Sequence, residues 1–162
     1  MDDRCAGAFI SSPMGQIPTE GSVRLRVRYV ECDPMGVAHH SSYVPWLEMA
    51  RTELLRGSGR TYAEMERGGL FLVITKLDVK YRRPIRYDDV VDVRVRASVT
   101  SRIKIHHAYE LAVVERDGAP PRPDDPSIPH DGVCAVASTE LACVGRDGRP
   151  TALPEWLRAS AD

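Results

Sequence analysis

Glu31-Cys32-Asp33-Pro34-Met35-Gly36-Val37-Ala38-His39-His40-Ser41-Ser42-Tyr43 runs directly into Val44-Pro45-Trp46-Leu47-Glu48-Met49-Ala50-Arg51-Thr52-Glu53-Leu54-Leu55. The first half carries a carboxylate, a turn around Pro34 and Gly36, and paired imidazoles. From Tyr43 onward, Tyr43, Val44, Leu47, Ala50, Leu54 and Leu55 recur at three- and four-residue spacing, Trp46 and Met49 widen the apolar surface, and Gly57 and Gly59 end the pattern. Ser41 or Ser42 is placed to cap the first turn. The spacing predicts the chain's one long helix, apolar around much of its circumference and therefore wrapped by a sheet. A charged loop abutting a helix start is where a ligand meets both a side chain and unpaired backbone N–H groups.

On either side of this segment the period changes to two. Val23 to Tyr29 alternates apolar and basic residues, which predicts a strand with one wet and one buried face. Thr61-Tyr62-Ala63-Glu64 has capping-box spacing and opens a short second helix ending near Gly68-Gly69. Four further strands are predicted over Leu70 to Arg83, a long run around Val91 to Val99, Ile103 to Glu115, and Val133 to Val144. Residues 117 to 131 contain Pro120, Pro121, Pro123, Pro126 and Pro129 and read as an exposed connection. Strand, long helix, short helix and four strands, without βαβ repetition, predict an α+β domain with an antiparallel sheet. Residues 1 to 20 show no sustained period and read as a flexible arm before a single domain over 21–162.

Bulk properties narrow the function. The chain of 162 residues carries 22 basic and 23 acidic side chains, a formal charge of -1, so nothing points to bulk attraction for nucleic acid. No stretch has the ~20 apolar residues of a membrane span. Cys5, Cys32, Cys134 and Cys143 are widely separated and lack metal-type pairing, which with no secretory signature implies reduced thiols and a cytoplasmic protein. His39, His40, His106 and His107 raise zinc as a ligand, but adjacent strand residues point to opposite faces and no cluster has ligand spacing, so no metal is expected. Neither a Gly-rich phosphate loop nor a Gly-x-Ser-x-Gly elbow occurs in the sequence.

Tyr29-Val30-Glu31-Cys32-Asp33-Pro34-Met35-Gly36-Val37, His40-Ser41-Ser42-Tyr43, Trp46 to Glu53 and Lys80 to Asp89 together resemble the hotdog-fold acyl-CoA thioesterases of the 4-hydroxybenzoyl-CoA thioesterase and YbgC/FadM-like group. The likeness runs from roughly Val23 to Pro154, and the Pro-rich connection looks longer than usual for that group. It implies a curled antiparallel five-stranded sheet around a central helix. It also implies homodimers or homotetramers with each active site at a dimer interface, and an acyl-CoA substrate with no separate cofactor.

By that resemblance the catalytic carboxylate falls on Asp33, and the backbone N–H of His40 polarises the thioester carbonyl. Helix-start N–H groups suit a developing oxyanion. Asp33 acts either as nucleophile, giving an acyl-enzyme anhydride, or as general base on water; the sequence leaves both open. Gly36, Tyr43 and Glu48 are expected to line the substrate, with Glu48 a mid-helix carboxylate that needs a partner such as Arg51. Arg82, Arg83 and Arg86 flank Pro84 and are candidates for the coenzyme A phosphates. The alternatives are a thioesterase acting on an acyl-carrier protein and a noncatalytic acyl-CoA-binding protein.

Overall fold

A computed structural model of the chain describes residues 19–122 and 124–158. The elements follow as β1 (Glu20–Arg26), α1 (Tyr43–Arg56), α2 (Tyr62–Arg67), β2 (Phe71–Tyr81), β3 (Val90–Ser101), β4 (Lys104–Glu115), β5 (Val133–Val144) and α3 (Glu155–Arg158). Of the arm expected over 1–20, all but Thr19 and Glu20 lies outside the described residues, and Glu20 opens β1. The strands pair antiparallel in the order β1-β3-β4-β5-β2. Period-two patterning sets their faces: Val91, Val93 and Val95 are buried while Arg94 and Arg96 are exposed.

Helix α1 lies on the apolar face and packs most closely on β1 and β3. Val27, Trp46, Leu47, Leu54, Val91, Val93 and Leu111 form the centre of the core, each 2% exposed or less. Burying a side chain of this size contributes roughly 1.5–3 kcal/mol. A second cluster of Leu55, Ile105, Leu141, Cys143, Leu153 and Leu157 seats the C-terminal segment. There Arg60 stacks on the Trp156 ring at 4.7 Å.

The expected sheet curled around the helix does not form. β1 and β2 sit at opposite ends of an open sheet and do not pair with each other. The reason lies in α1: Pro45, Glu48, Met49 and Arg56 are exposed, so the helix is apolar on one side and needs one sheet face rather than a sheath. The β2 end stays uncovered, and Leu77 and Tyr81 are 40% and 49% exposed. No described helix is long and apolar enough to cross a membrane.

The core also holds polar groups, with Arg51, Asp89, His107, Arg116 and Thr139 all buried. Burial first, then the nearby charge of Arg51, pulls the His107 imidazole from its ordinary 6.5 down to about 3. Between those values the unfolded chain takes up a proton that the folded protein refuses, so stability falls as the pH drops below 6.5. From pH ~6.5 to ~5 the expected loss is about 1–2 kcal/mol. Thermal melts across this window should show it, and His107→Leu should flatten the slope; an identical slope in both proteins would contradict the assignment.

Candidate active site

Asp33 sits in a tight turn built from its own segment. Its Oδ1 accepts hydrogen bonds from the N–H groups of Met35 at 2.8 Å and Val37 at 3.4 Å. The Asp33 N–H donates to the Val37 carbonyl at 2.9 Å, and the Gly36 N–H donates to the Asp33 carbonyl at 2.9 Å. Gly36 closes the turn with φ +75°, and a Cβ there would meet nothing within 4 Å. Glycine is therefore required by backbone conformation and not by space, and Gly36→Ala should cost about 1–2 kcal/mol, read as a lower unfolding midpoint. An unchanged midpoint would show that the turn relaxes freely. Oδ2 of Asp33 bonds to no described residue.

The turn is stitched to the rest of the protein on two sides. Cys32 pairs with Ala38, and Val37 pairs with Arg86. Ala38 N–H donates to the Ile85 carbonyl at 2.8 Å, and Tyr87 N–H to the Gly36 carbonyl at 3.3 Å. The 82–89 connection thus holds the backbone that presents Asp33.

His40 opens a 3-10 turn, His40–Ser42, that leads into α1. Its N–H donates to no described residue, while its carbonyl accepts from the Tyr81 hydroxyl at 3.2 Å. The expected serine caps do not form: His39 Nδ1 receives the Ser41 N–H at 3.3 Å, and the Ser42 hydroxyl donates to the Glu31 carbonyl at 2.8 Å. The His39 and His40 rings lie 4.0 Å apart, and among the described residues no group of three His, Cys, Asp or Glu is placed to hold a metal.

Glu31 is the organiser that sequence reading passed over. Its carboxylate accepts from Arg28 Nη2 at 2.8 Å, the Arg28 N–H at 2.7 Å and the Trp46 indole N–H at 2.9 Å. These donors outweigh the opposing effect of burial and hold the Glu31 carboxyl below the usual range. Through Trp46, a residue in the core, the carboxylate fixes the loop against the first turns of α1.

The remaining predicted residues separate. Tyr43 is 3% exposed and packs against the Trp46 and Tyr81 rings at 5.1 and 4.9 Å. Burial raises its phenol well above the ordinary range. Glu48 lies further along α1, its side chain 63% exposed, and pairs with the buried Arg51 at 2.9 Å. Arg82 is engaged by Asp131 at 2.8 Å and Arg83 donates to the Arg82 carbonyl at 3.0 Å, while the exposed Arg86 guanidinium bonds to no described residue.

Behind the 82–89 connection stands a buried ion pair that the sequence did not reveal. Arg116 reaches Asp89 with two hydrogen bonds, at 2.8 and 2.6 Å, and their side chains are 5% and 1% exposed. Arg116 also donates to the Pro84 carbonyl at 3.2 Å and to the Ser127 hydroxyl at 2.7 Å, and Asp89 Oδ2 receives the Arg86 N–H at 2.7 Å. The Pro-rich connection is thereby tied to the segment that clamps the Asp33 turn. A cleft of about 510 Å³ opens elsewhere, among Arg94, Arg96, Ala108 and Glu110, and touches none of these residues. Its charges are already paired, Arg94 with Glu110 and Arg96 with Glu20.

Comparison with known proteins matches the same stretch of chain. The pattern of the thioesterase-like superfamily fits residues 27–160. A relative from Aquifex aeolicus is 37% identical over 86 residues, 53% of this chain and 67% of its own. The acyl-CoA thioester hydrolase YbgC of Escherichia coli is 36% identical over 70 residues, 43% of this chain and 52% of its own. The match therefore spans between about half and two thirds of these relatives' lengths. The structure of DHNA-CoA thioesterase from Staphylococcus aureus superposes with a TM-score of 0.69 at 29% identity, covering 83% of this chain and 80% of that one. With its central helix, its five-stranded antiparallel sheet and the superfamily pattern over residues 27–160, the chain belongs to the thioesterase-like superfamily of hotdog-fold proteins.

Proposed function

We propose that the protein hydrolyses acyl-coenzyme A thioesters, releasing a carboxylic acid and coenzyme A. The observation that carries this reading is the Asp33 carboxylate, one oxygen fixed in its own turn and the other open, just before a helix start whose His40 N–H is unshared. Attack on a thioester carbonyl places negative charge on oxygen, and an unshared helix-start N–H is suited to receive it. The open oxygen of Asp33 either takes a proton from an attacking water or itself attacks the carbonyl carbon. In both routes the carbon–sulfur bond breaks, the thiolate leaves and takes up a proton, and water supplies the second oxygen of the acid.

Arg83 and Arg86 are the better candidates for the coenzyme A phosphates, since Arg82 is already paired with Asp131. A second copy of the chain set against β2 agrees with the exposure of that edge, where Val73 and Ile74 are each 42% exposed. The relation to the YbgC acyl-CoA hydrolase supports coenzyme A as carrier.

The test is thiol release from a panel of acyl-CoAs and matched acyl-carrier-protein thioesters. Turnover on the CoA series is the expected result. Turnover confined to the carrier series would move the assignment to the carrier protein. Saturable binding without thiol release from either series would make this a binding protein.

A further inference from the structure

On the reading just proposed, the His40 N–H receives the charge that develops on the thioester oxygen, and such a donor is effective only when it is already aimed. An amide is planar, with its N–H and C=O pointing opposite ways, so the His40 N–H is aimed by the unit that joins it to the His39 carbonyl. That carbonyl accepts from the Ser42 N–H at 2.9 Å. The next unit joins the His40 carbonyl to the Ser41 N–H. Its carbonyl accepts from the Tyr81 hydroxyl at 3.2 Å, and its N–H donates to His39 Nδ1 at 3.3 Å. Three of the four backbone polar groups in these two units are thus engaged, and the fourth, the His40 N–H, bonds to no described residue.

Two side chains hold the second of these units. His39 is the N-cap of the His40–Ser42 turn, with φ -59° and ψ 140°. Caps are ordinarily Ser, Thr, Asp or Asn, whose side-chain oxygen accepts a backbone N–H; here an imidazole nitrogen does so. A backbone N–H can only donate, so the Ser41 contact places the lone pair on Nδ1 and the ring proton on Nε2. The Ser41 hydroxyl, 2.7 Å from Nδ1, donates to the same lone pair in that tautomer. The His39 backbone is itself anchored, its N–H donating to the Glu31 carbonyl at 2.8 Å. Tyr81 arrives from the last position of β2, 41 residues from His40. Its ring stands edge-on to the buried Tyr43 ring at 4.9 Å and 83°, which sets where the hydroxyl falls.

We propose that His39 and Tyr81 are positioning residues, which pin the His40–Ser41 peptide and so keep the adjoining His40 N–H directed at the substrate carbonyl. Neither ring needs to touch the reacting atoms. This deepens the acyl-CoA reading and rests on it. Both bonds are at the long end of the hydrogen-bond range, so losing either one shifts the donor rather than removing it. The expected loss is therefore about tenfold in kcat, smaller than the roughly 10²–10³ of deleting an oxyanion donor outright.

The experiment measures acyl-CoA hydrolysis by His39→Leu, His39→Asn and Tyr81→Phe beside the wild type. His39→Leu and Tyr81→Phe should each lower kcat by about tenfold with KM nearly unchanged, a split that loss of stability alone does not produce. Tyr81→Phe keeps the ring against Tyr43 and removes only the hydroxyl; if His39→Leu does not fold, Tyr81→Phe decides. Asparagine restores an acceptor at the cap, so His39→Asn should recover most of the kcat lost in His39→Leu. Full kcat in folded His39→Leu and Tyr81→Phe overturns the proposal. His39→Asn as slow as His39→Leu overturns the acceptor role given to His39. If the wild type hydrolyses nothing, the hydrolase reading fails and dissociation constants decide the inference separately. The probes are a CoA analogue with methylene in place of the thioester sulfur and its carbonyl retained, and the same chain without the carbonyl. A wild-type preference for the carbonyl analogue that falls toward one in His39→Leu and Tyr81→Phe supports the inference. Equal affinity for both probes in the wild type, or a preference unchanged in the variants, overturns it.

Discussion

Asp33→Asn should lower kcat for acyl-CoA hydrolysis by about 10²–10⁴-fold while leaving the fold intact. The amide retains an oxygen that accepts the Met35 and Val37 N–H groups, so the turn survives the substitution. What disappears is the negative charge and basicity of the open oxygen, which either route to hydrolysis requires. KM should change far less, because the proposed role of Asp33 is in the chemical step and the coenzyme A part is assigned to Arg83 and Arg86. Asp33→Ala removes the turn bonds as well and should cost a further ~1 kcal/mol of stability. Steady-state kinetics beside a thermal melt separate the two effects. A folded Asp33→Asn protein with undiminished turnover would remove Asp33 from the chemistry.

The second large effect belongs to Arg116. Removing one member of a buried ion pair leaves the other charged and uncompensated, which costs about 3–5 kcal/mol. Arg116→Met strands Asp89, which is 1% exposed, and also releases the Pro84 carbonyl and the Ser127 hydroxyl. The expected result is a fall of that size in unfolding free energy. Arg116→Lys retains the charge but not the two-pronged hydrogen bond, so its loss should be smaller yet still measurable. Asp89→Leu combined with Arg116→Met removes both charges and should recover much of the loss. A chemical denaturation series on the four proteins reads these differences. Because the pair holds the segment that clamps the Asp33 turn, turnover should fall with stability in Arg116→Met. Full stability in that variant would contradict the energetic role given to the pair.

How much of this was legible in the sequence depended on how local the signal is. The Asp33 turn and α1 are read from neighbouring residues: Pro34 and Gly36 on one side, apolar spacing from Tyr43 to Leu55 on the other. The strands follow from alternation, and β3, β4 and β5 lie close to their expected limits. The Asp89–Arg116 pair joins residues 27 positions apart, each standing in an ordinary polar stretch, so no local pattern marks it. Trp46 and Glu31, 15 positions apart, escape for the same reason.

The wrapped sheet was an over-reading of helix composition. Trp46 and Met49 are both apolar, but only Trp46 is buried, and Met49 shares an exposed flank with Glu48. The sequence does carry one local signal of the buried polar groups: Ile105, His107, Tyr109 and Leu111 keep strict alternation in β4, which places His107 on the inward face. A histidine at an apolar parity position was the mark of the buried polar cluster.

The central claim is that a thioester is held between the open oxygen of Asp33 and the N–H of His40. It is tested most directly by a crystal structure with an acyl-CoA analogue in which methylene replaces the thioester sulfur and the carbonyl remains. The account predicts the carbonyl oxygen within hydrogen-bond distance of the His40 N–H and its carbon facing Asp33. A carbonyl bound with full occupancy away from both groups would contradict it.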